Sequence, residues 1–75
     1  MTLDMLVDKL NNMYENSNKG ESTTMIHLFG IRYAKFIGHN NIATATEIIN
    51  ASNLSKSYFA EINKGVKLSK YVEEK

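Results

Sequence analysis

The segment from Thr44 to Gly65 constrains the fold most, because its residues favour two short helices joined by a tight turn. Thr44 and Glu47 have the spacing of a capping box, in which the hydroxyl accepts from the backbone N–H three residues on and the carboxylate reaches back. A helix is therefore predicted to begin at Thr44. Ile48 and Ile49 give this helix an inward face.

The turn and the second helix of the segment are predicted from residues with special backbone preferences. Asn53 is one of the few non-glycine residues that tolerate the left-handed conformation, which lets a chain leave a helix abruptly. Ser55 is a good N-cap for the next helix, and Gly65 is placed to end it. Phe59 and Ile62 lie on one side of this helix, so both are expected to face the core.

This helix pair resembles the helix-turn-helix of phage-repressor and Cro-like DNA-binding proteins, over about a third of the chain. In that family the segment that matches residues 55–64 is the recognition helix. Two positions depart from the family pattern: Ile49 stands where a small residue usually lets the helices approach closely, and Asn53 stands where glycine is usual. The residues that carry the resemblance are Ile48, Leu54, Ser55, Phe59, Ile62 and Gly65.

The resemblance implies that double-stranded DNA is the partner and that the second helix enters the major groove. Small side chains at Ser57 and Ala60 permit close approach, and Thr44 and Thr46 lie near a helix N-terminus, where phosphates bind well. An ordinary amphipathic helix also has a polar outer face, and Tyr58 at its edge fits a packed aromatic as well as a phosphate contact. The expected DNA-binding residues are Thr44, Thr46, Ser55, Lys56, Ser57, Tyr58, Ala60, Glu61 and Lys64.

The charge of the chain gives this hypothesis only weak support. The net charge is +1, whereas neutralisation of phosphates supplies most non-specific DNA affinity. Residues 1–50 hold four basic and five acidic groups, and residues 51–75 hold five lysines and three glutamates, so the positive surplus lies with the second helix and its tail. The single arginine, Arg32, is outside that helix, although arginine makes the commonest guanine contact.

The first half of the chain predicts two further helices separated by a polar loop. The first is capped by Thr2 and runs to about Asn16, because apolar residues recur at helical spacing. Residues 16–22 are polar and contain a glycine, so they form the loop. The second helix spans residues 23–37 and stops at Gly38.

Gly30 is an unfavourable residue in the middle of the second predicted helix. Gly30 costs the second helix about 1 kcal/mol relative to alanine. With Ala34 four residues later, it marks either close helix packing or a break.

After the helix pair, Leu68, Tyr71 and Val72 suggest a short closing helix.

Length and composition complete the structural prediction. The 75 residues make one all-α domain, a small bundle of four to five helices, which buries only about 60% of the extended surface. The absence of cysteine excludes disulfides and thiolate metal sites, and no stretch has the roughly 18 apolar residues of a membrane span. A soluble cytoplasmic protein without a cofactor is expected. Its predicted core is Leu6, Leu10, Ile26, Phe29, Tyr33, Ile48, Leu54, Phe59 and Ile62.

Two classes of function remain, because the chain has no recognisable catalytic motif and little room for a preorganised cleft. His27 and His39 lack a matching acidic or thiol set and are expected to be surface or loop histidines. The first class is a DNA-binding transcriptional regulator that forms a homodimer. The second is a protein-interaction module built on the same scaffold. Met1, Met5 and Met13 of the first helix either fill the core or offer an adaptable surface to a protein partner.

Overall fold

The computed structural model describes residues 1–38 and 41–72, and the regular elements in this part of the chain are all helical. The predicted all-α fold is confirmed. The prediction for His39 lies outside the described residues. The elements are α1 (Leu3–Glu15), α2 (Ser22–Tyr33), α3 (Ala45–Ala51) and α4 (Phe59–Leu68), with single-turn 3-10 helices at Ala34–Phe36 and Lys56–Tyr58.

Helix α1 begins and ends where the sequence predicted. The backbone N–H of Met5 donates to Thr2 Oγ1 at 3.2 Å, which satisfies one of the free donors at the helix start. Leu6 and Leu10 have no exposed surface. The loop that follows turns at Gly20, whose φ of +83° lies in the region that favours glycine.

Helix α3 begins with the predicted capping box. The N–H of Glu47 donates to Thr44 Oγ1 at 3.2 Å, and the N–H of Thr44 donates to Glu47 Oε1 at 3.0 Å. These reciprocal bonds satisfy two backbone donors and fix the start of the helix. Ile48 and Ile49 are both buried, so the inward face was also predicted correctly.

The turn between α3 and α4 differs from the prediction, because Asn53 is not left-handed; positive φ occurs only at glycines among the described residues. Ser52 makes the turn instead. Its Oγ donates to the carbonyl of Ile49 at 2.8 Å and accepts from the N–H of Leu54 at 3.2 Å. The N–H of Asn53 donates to Asn11 Oδ1 of α1 at 3.1 Å, so α1 holds the turn from outside.

Helices α2 and α4 pack directly against each other through two glycines. A Cβ added at Gly30 would lie 2.6 Å from the carbonyl oxygen of Ile62 and 2.8 Å from the Cα of Gly65. Gly30 therefore marks close helix packing and not a break, and Gly65 of α4 lies opposite it. The prediction that Gly65 ends its helix is wrong: it is buried inside α4, which continues to Leu68.

The predicted closing helix after Gly65 is also wrong. Leu68 is the last residue of α4, and the chain then turns, with the N–H of Tyr71 donating to the carbonyl of Leu68 at 2.9 Å. Tyr71 is 84% exposed, so this turn does not return to the core. The residues assigned to a separate element instead lengthen α4 and its C-terminal turn.

The core agrees with the prediction except at one aromatic residue. Tyr33 and Leu54 are partly buried and pack against the core. Phe59 is 39% exposed, because it is the first residue of α4 and Ile62, one turn later, takes the inward position. Phe59 was therefore wrongly placed in the core. The predicted residues with no exposed surface are Leu6, Leu10, Ile26, Phe29, Ile48 and Ile62.

The exposure of Phe59 leads to a prediction about stability. Truncation of a buried phenylalanine costs about 3 to 5 kcal/mol, whereas Phe59→Ala should cost only about 1 kcal/mol, because much of the ring already contacts water. Urea unfolding followed by circular dichroism measures the difference. A loss of more than about 3 kcal/mol would show that the ring is part of the core.

Candidate nucleic-acid interface

Helix α4 has one face against α2 and the opposite face in solvent. Ile62 and Gly65 form the buried face. Residues three and four positions apart share a helix face, so Ala60, Lys64 and Lys67 lie together on the other side. All three are exposed. Part of the predicted reading surface is therefore accessible, and the same exposed face of α4 continues past residue 64 to Lys67.

The segment before α4 begins as a 3-10 turn capped by the predicted residue. The N–H of Ser57 donates to Ser55 Oγ at 3.3 Å, and the two hydroxyl oxygens are 3.0 Å apart. Ser55, Lys56 and Ser57 are exposed. The predicted recognition helix thus has a 3-10 first turn, and its α-helical part starts at Phe59.

The two predicted phosphate-binding threonines differ in their availability. Thr44 Oγ1 accepts from the N–H of Glu47 and also donates to Glu47 Oε1 at 3.2 Å, so its hydroxyl is already used in the capping box. Thr46 is exposed at the start of α3. The structure therefore leaves Thr46 available for a ligand and assigns Thr44 a structural role.

Tyr58 is a half-buried aromatic that packs against α1. Its ring lies edge-on to that of Tyr14, with 5.5 Å between the centroids. A hydrogen bond with the Tyr14 side chain raises the pKa of the Tyr58 phenol above its ordinary value. Of the two roles left open by the sequence, the packing role fits this position.

Glu61 does not occupy the outer face, contrary to the prediction. Its Oε2 lies 2.6 Å from His27 Nε2 of α2, and Lys64 Nζ donates to its Oε1 at 3.2 Å. The carboxylate side chain is only 20% exposed. The orientation of α4 places this position towards α2, so the Glu61 carboxylate joins the two helices. His27, expected on the surface or in a loop, is half-buried within α2.

These contacts change the acidity of Glu61. The hydrogen bond from Lys64, followed by the one with His27, lowers the pKa of the carboxyl below its ordinary value of 4.5. A carboxyl whose pKa is lower in the folded state than in the unfolded state stabilises the fold at pH values above its unfolded-state pKa. That stabilisation is lost as the pH falls through the folded-state pKa. We expect the free energy of unfolding of the parent to fall more steeply below pH 4.5 than that of Glu61→Gln. Denaturant titrations between pH 3 and 7 measure the free energy of unfolding of both proteins. Parallel dependences on pH would contradict the contacts assigned to Glu61.

Three residues of this surface were not predicted from the sequence. Phe59 lies between two shallow grooves, and Asn63 lines the larger one, which has a volume of about 390 Å³. Lys67 is exposed one turn beyond Lys64. The helical spacing from Ala60 identifies Asn63, and it would also have identified Lys67 if Gly65 had not been interpreted as a helix end.

The exposed side of this segment carries positive charge. Lys56, Lys64 and Lys67 are exposed, and the carboxylate of Glu61 in the same segment is engaged by His27 and Lys64. The sole arginine lies in α2, where its Nη1 contacts a methionine sulfur of α1 at 3.8 Å. Lysine is therefore the cation that this surface offers.

Two helices joined by a tight turn and packed on two further helices define an all-α domain of the helix-turn-helix class. The family model described as HTH-like domain matches residues 2–75, and the chain belongs to this family. The match supports a helix-turn-helix family but not the phage-repressor and Cro-like group in particular. Searches of curated proteins and of solved structures gave no match.

Within residues 1–38 and 41–72, no helix is both long and apolar enough to cross a membrane. The same residues contain no group of three or more histidine, aspartate or glutamate side chains able to hold a metal ion. The HTH-like family is typically non-enzymatic.

Proposed function

We propose that the protein is a small DNA-binding transcriptional regulator that places residues 55–68 in the major groove. The observation that carries the proposal is the exposed, lysine-bearing face of α4, opposite the face that packs on α2. The family match supports a DNA-binding regulatory role in general terms. The resemblance of residues 44–65 to phage-repressor and Cro-like proteins supports the assignment of this segment as the reading element.

The chemistry of the surface suits a duplex. Lys56, Lys64 and Lys67 neutralise phosphates and release counterions, which supplies sequence-independent affinity. Ser57 and Ala60 are small and exposed, so the backbone of this segment can approach base edges closely. Thr46, at the start of α3, is placed to contact the sugar-phosphate backbone, as polar side chains commonly do in protein–DNA complexes.

Titration of a labelled mixed-sequence duplex at two salt concentrations tests the proposal. We expect a Kd of about 10⁻⁴ to 10⁻⁶ M at physiological salt for non-specific binding, and tighter binding at low salt. Affinity weaker than about 1 mM even at low salt would exclude DNA as the partner. The protein-interaction module would then replace it, and the exposed Phe59 is the observation that favours that second function.

A homodimer is part of the proposal, because one recognition helix reads few base pairs and two-fold proteins read two half-sites. Leu6, Val7 and Leu10 of α1 are used in the domain's own core. The apolar surface available for pairing at the start of α1 is formed by Met5 and by Met1, which precedes the helix; they are 47% and 39% exposed. We expect sedimentation at micromolar concentration to show a dimer that Met5→Lys converts to a monomer. Thr24→Lys, an exposed position of α2, is the matched control. A monomeric parent would contradict this part.

A further inference from the structure

We infer that Phe59 is a specificity-determining residue that packs against the 5-methyl group of thymine. The inference rests on the proposed function and names what the reading surface recognises. Phe59 is the first residue of α4 and lies one turn after Ser55, near the start of the recognition segment, and residues near the N-terminus of a recognition helix are those that contact base edges. The ring is also 39% exposed, so the core does not use all of it.

The groove beside Phe59 combines an apolar floor with a cation. It has a volume of about 220 Å³ and is lined by Thr46, Ile49, Asn50, Lys56 and Phe59. Lys56 gives this groove the charge complementarity that a phosphate backbone requires. A ligand with both an anionic backbone and an apolar projection fits this combination, and a thymine-containing strand has both.

The first turn of α4, residues 59–62, has one polar side chain, Glu61. Glu61 is held by His27 and Lys64, and the residue after Phe59 is the exposed Ala60. Apart from Glu61, whose carboxylate is already engaged, the first turn of α4 is therefore apolar. In the major groove the thymine methyl is the group that apolar side chains such as alanine and phenylalanine recognise.

Exchange of thymine for uracil tests the inference, because uracil pairs identically and lacks only the 5-methyl group. Random-sequence duplexes enriched by binding to the full chain are amplified once with thymine and once with uracil. We expect the thymine pool to bind about fourfold more tightly for each methyl group covered, which corresponds to about 0.8 kcal/mol per buried methyl.

Three variants locate the effect at the ring. Phe59→Ala should bring the thymine-to-uracil affinity ratio close to one while leaving the salt dependence unchanged, and Phe59→Leu should keep part of the ratio. Tyr71→Ala removes another exposed aromatic, at the far end of α4, and should leave the ratio unaltered. Circular dichroism of each variant confirms that it is folded before its ratio is compared.

The outcomes separate this inference from the proposed function. Equal binding of both pools by the parent protein would overturn the role of Phe59 and leave DNA binding intact. A ratio that persists in Phe59→Ala would also overturn it, because the methyl group would then act through another residue or through duplex shape. Binding of neither pool would reject the proposed function itself, and the exposed ring would then belong to a protein contact.

Discussion

Replacement of Gly65 by alanine should leave the chain largely unfolded at room temperature. A Cβ at this position would meet the backbone carbonyl oxygen of His27 far inside van der Waals contact and would lie 2.9 Å from the Cα of Gly30. Both neighbours are backbone atoms, so the clash can be relieved only by separating α2 from α4. We expect a loss of about 3 kcal/mol or more, at the upper end of overpacking costs. A core of this size supplies only about 3 to 5 kcal/mol.

The direction of the stability change in Gly65→Ala shows whether α2 and α4 approach each other closely. Alanine is favoured over glycine by about 1 kcal/mol inside a helix, so at an unobstructed helical position the substitution would stabilise. Gly20→Ala is a useful comparison, since a Cβ there meets nothing within 4 Å and only the positive φ opposes it. It should cost about 1 to 2 kcal/mol. Urea unfolding of both variants measures the difference; a stabilised Gly65→Ala would show that the helices do not approach this closely.

The helix starts were predictable because their determinants are local in sequence. Thr2 and the pair Thr44 and Glu47 form their capping bonds over three residues, so spacing alone identifies them. The fully buried core was also predictable, because the apolar faces of the helices in so short a chain pack together in a single core. Ile49 is buried, as its place on the inward face of α3 predicted, although a small residue is usual there in the phage-repressor and Cro-like family.

The role of Gly65 was not predictable, because it depends on a residue 35 positions away. A glycine after a helical run ordinarily signals a C-cap, and only the contact with Gly30 shows that α4 continues through it. The same misplaced end concealed Lys67 from the predicted site. Likewise, Asn53 met the requirements of a left-handed turn, but the Ser52 hydroxyl satisfies the turn without that conformation.

The rotation of α4 was the second feature that the sequence did not determine. Glu61 was expected to face outward and Phe59 inward, and the structure reverses both. A partner for Glu61 exists only because His27 lies on α2 at 2.6 Å. Sequence periodicity defines an amphipathic face to within about one residue, and such an error exchanges core and site positions at the edges of that face.

Simultaneous replacement of Lys56 and Lys67 by alanine should weaken binding to all duplexes by about 100-fold at low salt. Each lysine is exposed on the outer side of the reading segment, and a charge-assisted contact to phosphate is worth about 1.5 kcal/mol or more, close to tenfold. Lys64 is left in place, because its Nζ also holds Glu61 and its removal would perturb the contact with α2.

The salt dependence separates a direct contact from a change in overall charge. Loss of two phosphate contacts should lower the slope of log affinity against log salt by about two units, since two fewer counterions are released. The double variant Lys9→Ala and Lys19→Ala removes the same charge from α1 and the first loop, where both side chains are exposed. Isotherms at four salt concentrations should show its slope unchanged. Equal slopes for the two double variants would mean that α4 does not lie against the phosphates, and the surface proposed for DNA would have to be placed elsewhere on the domain.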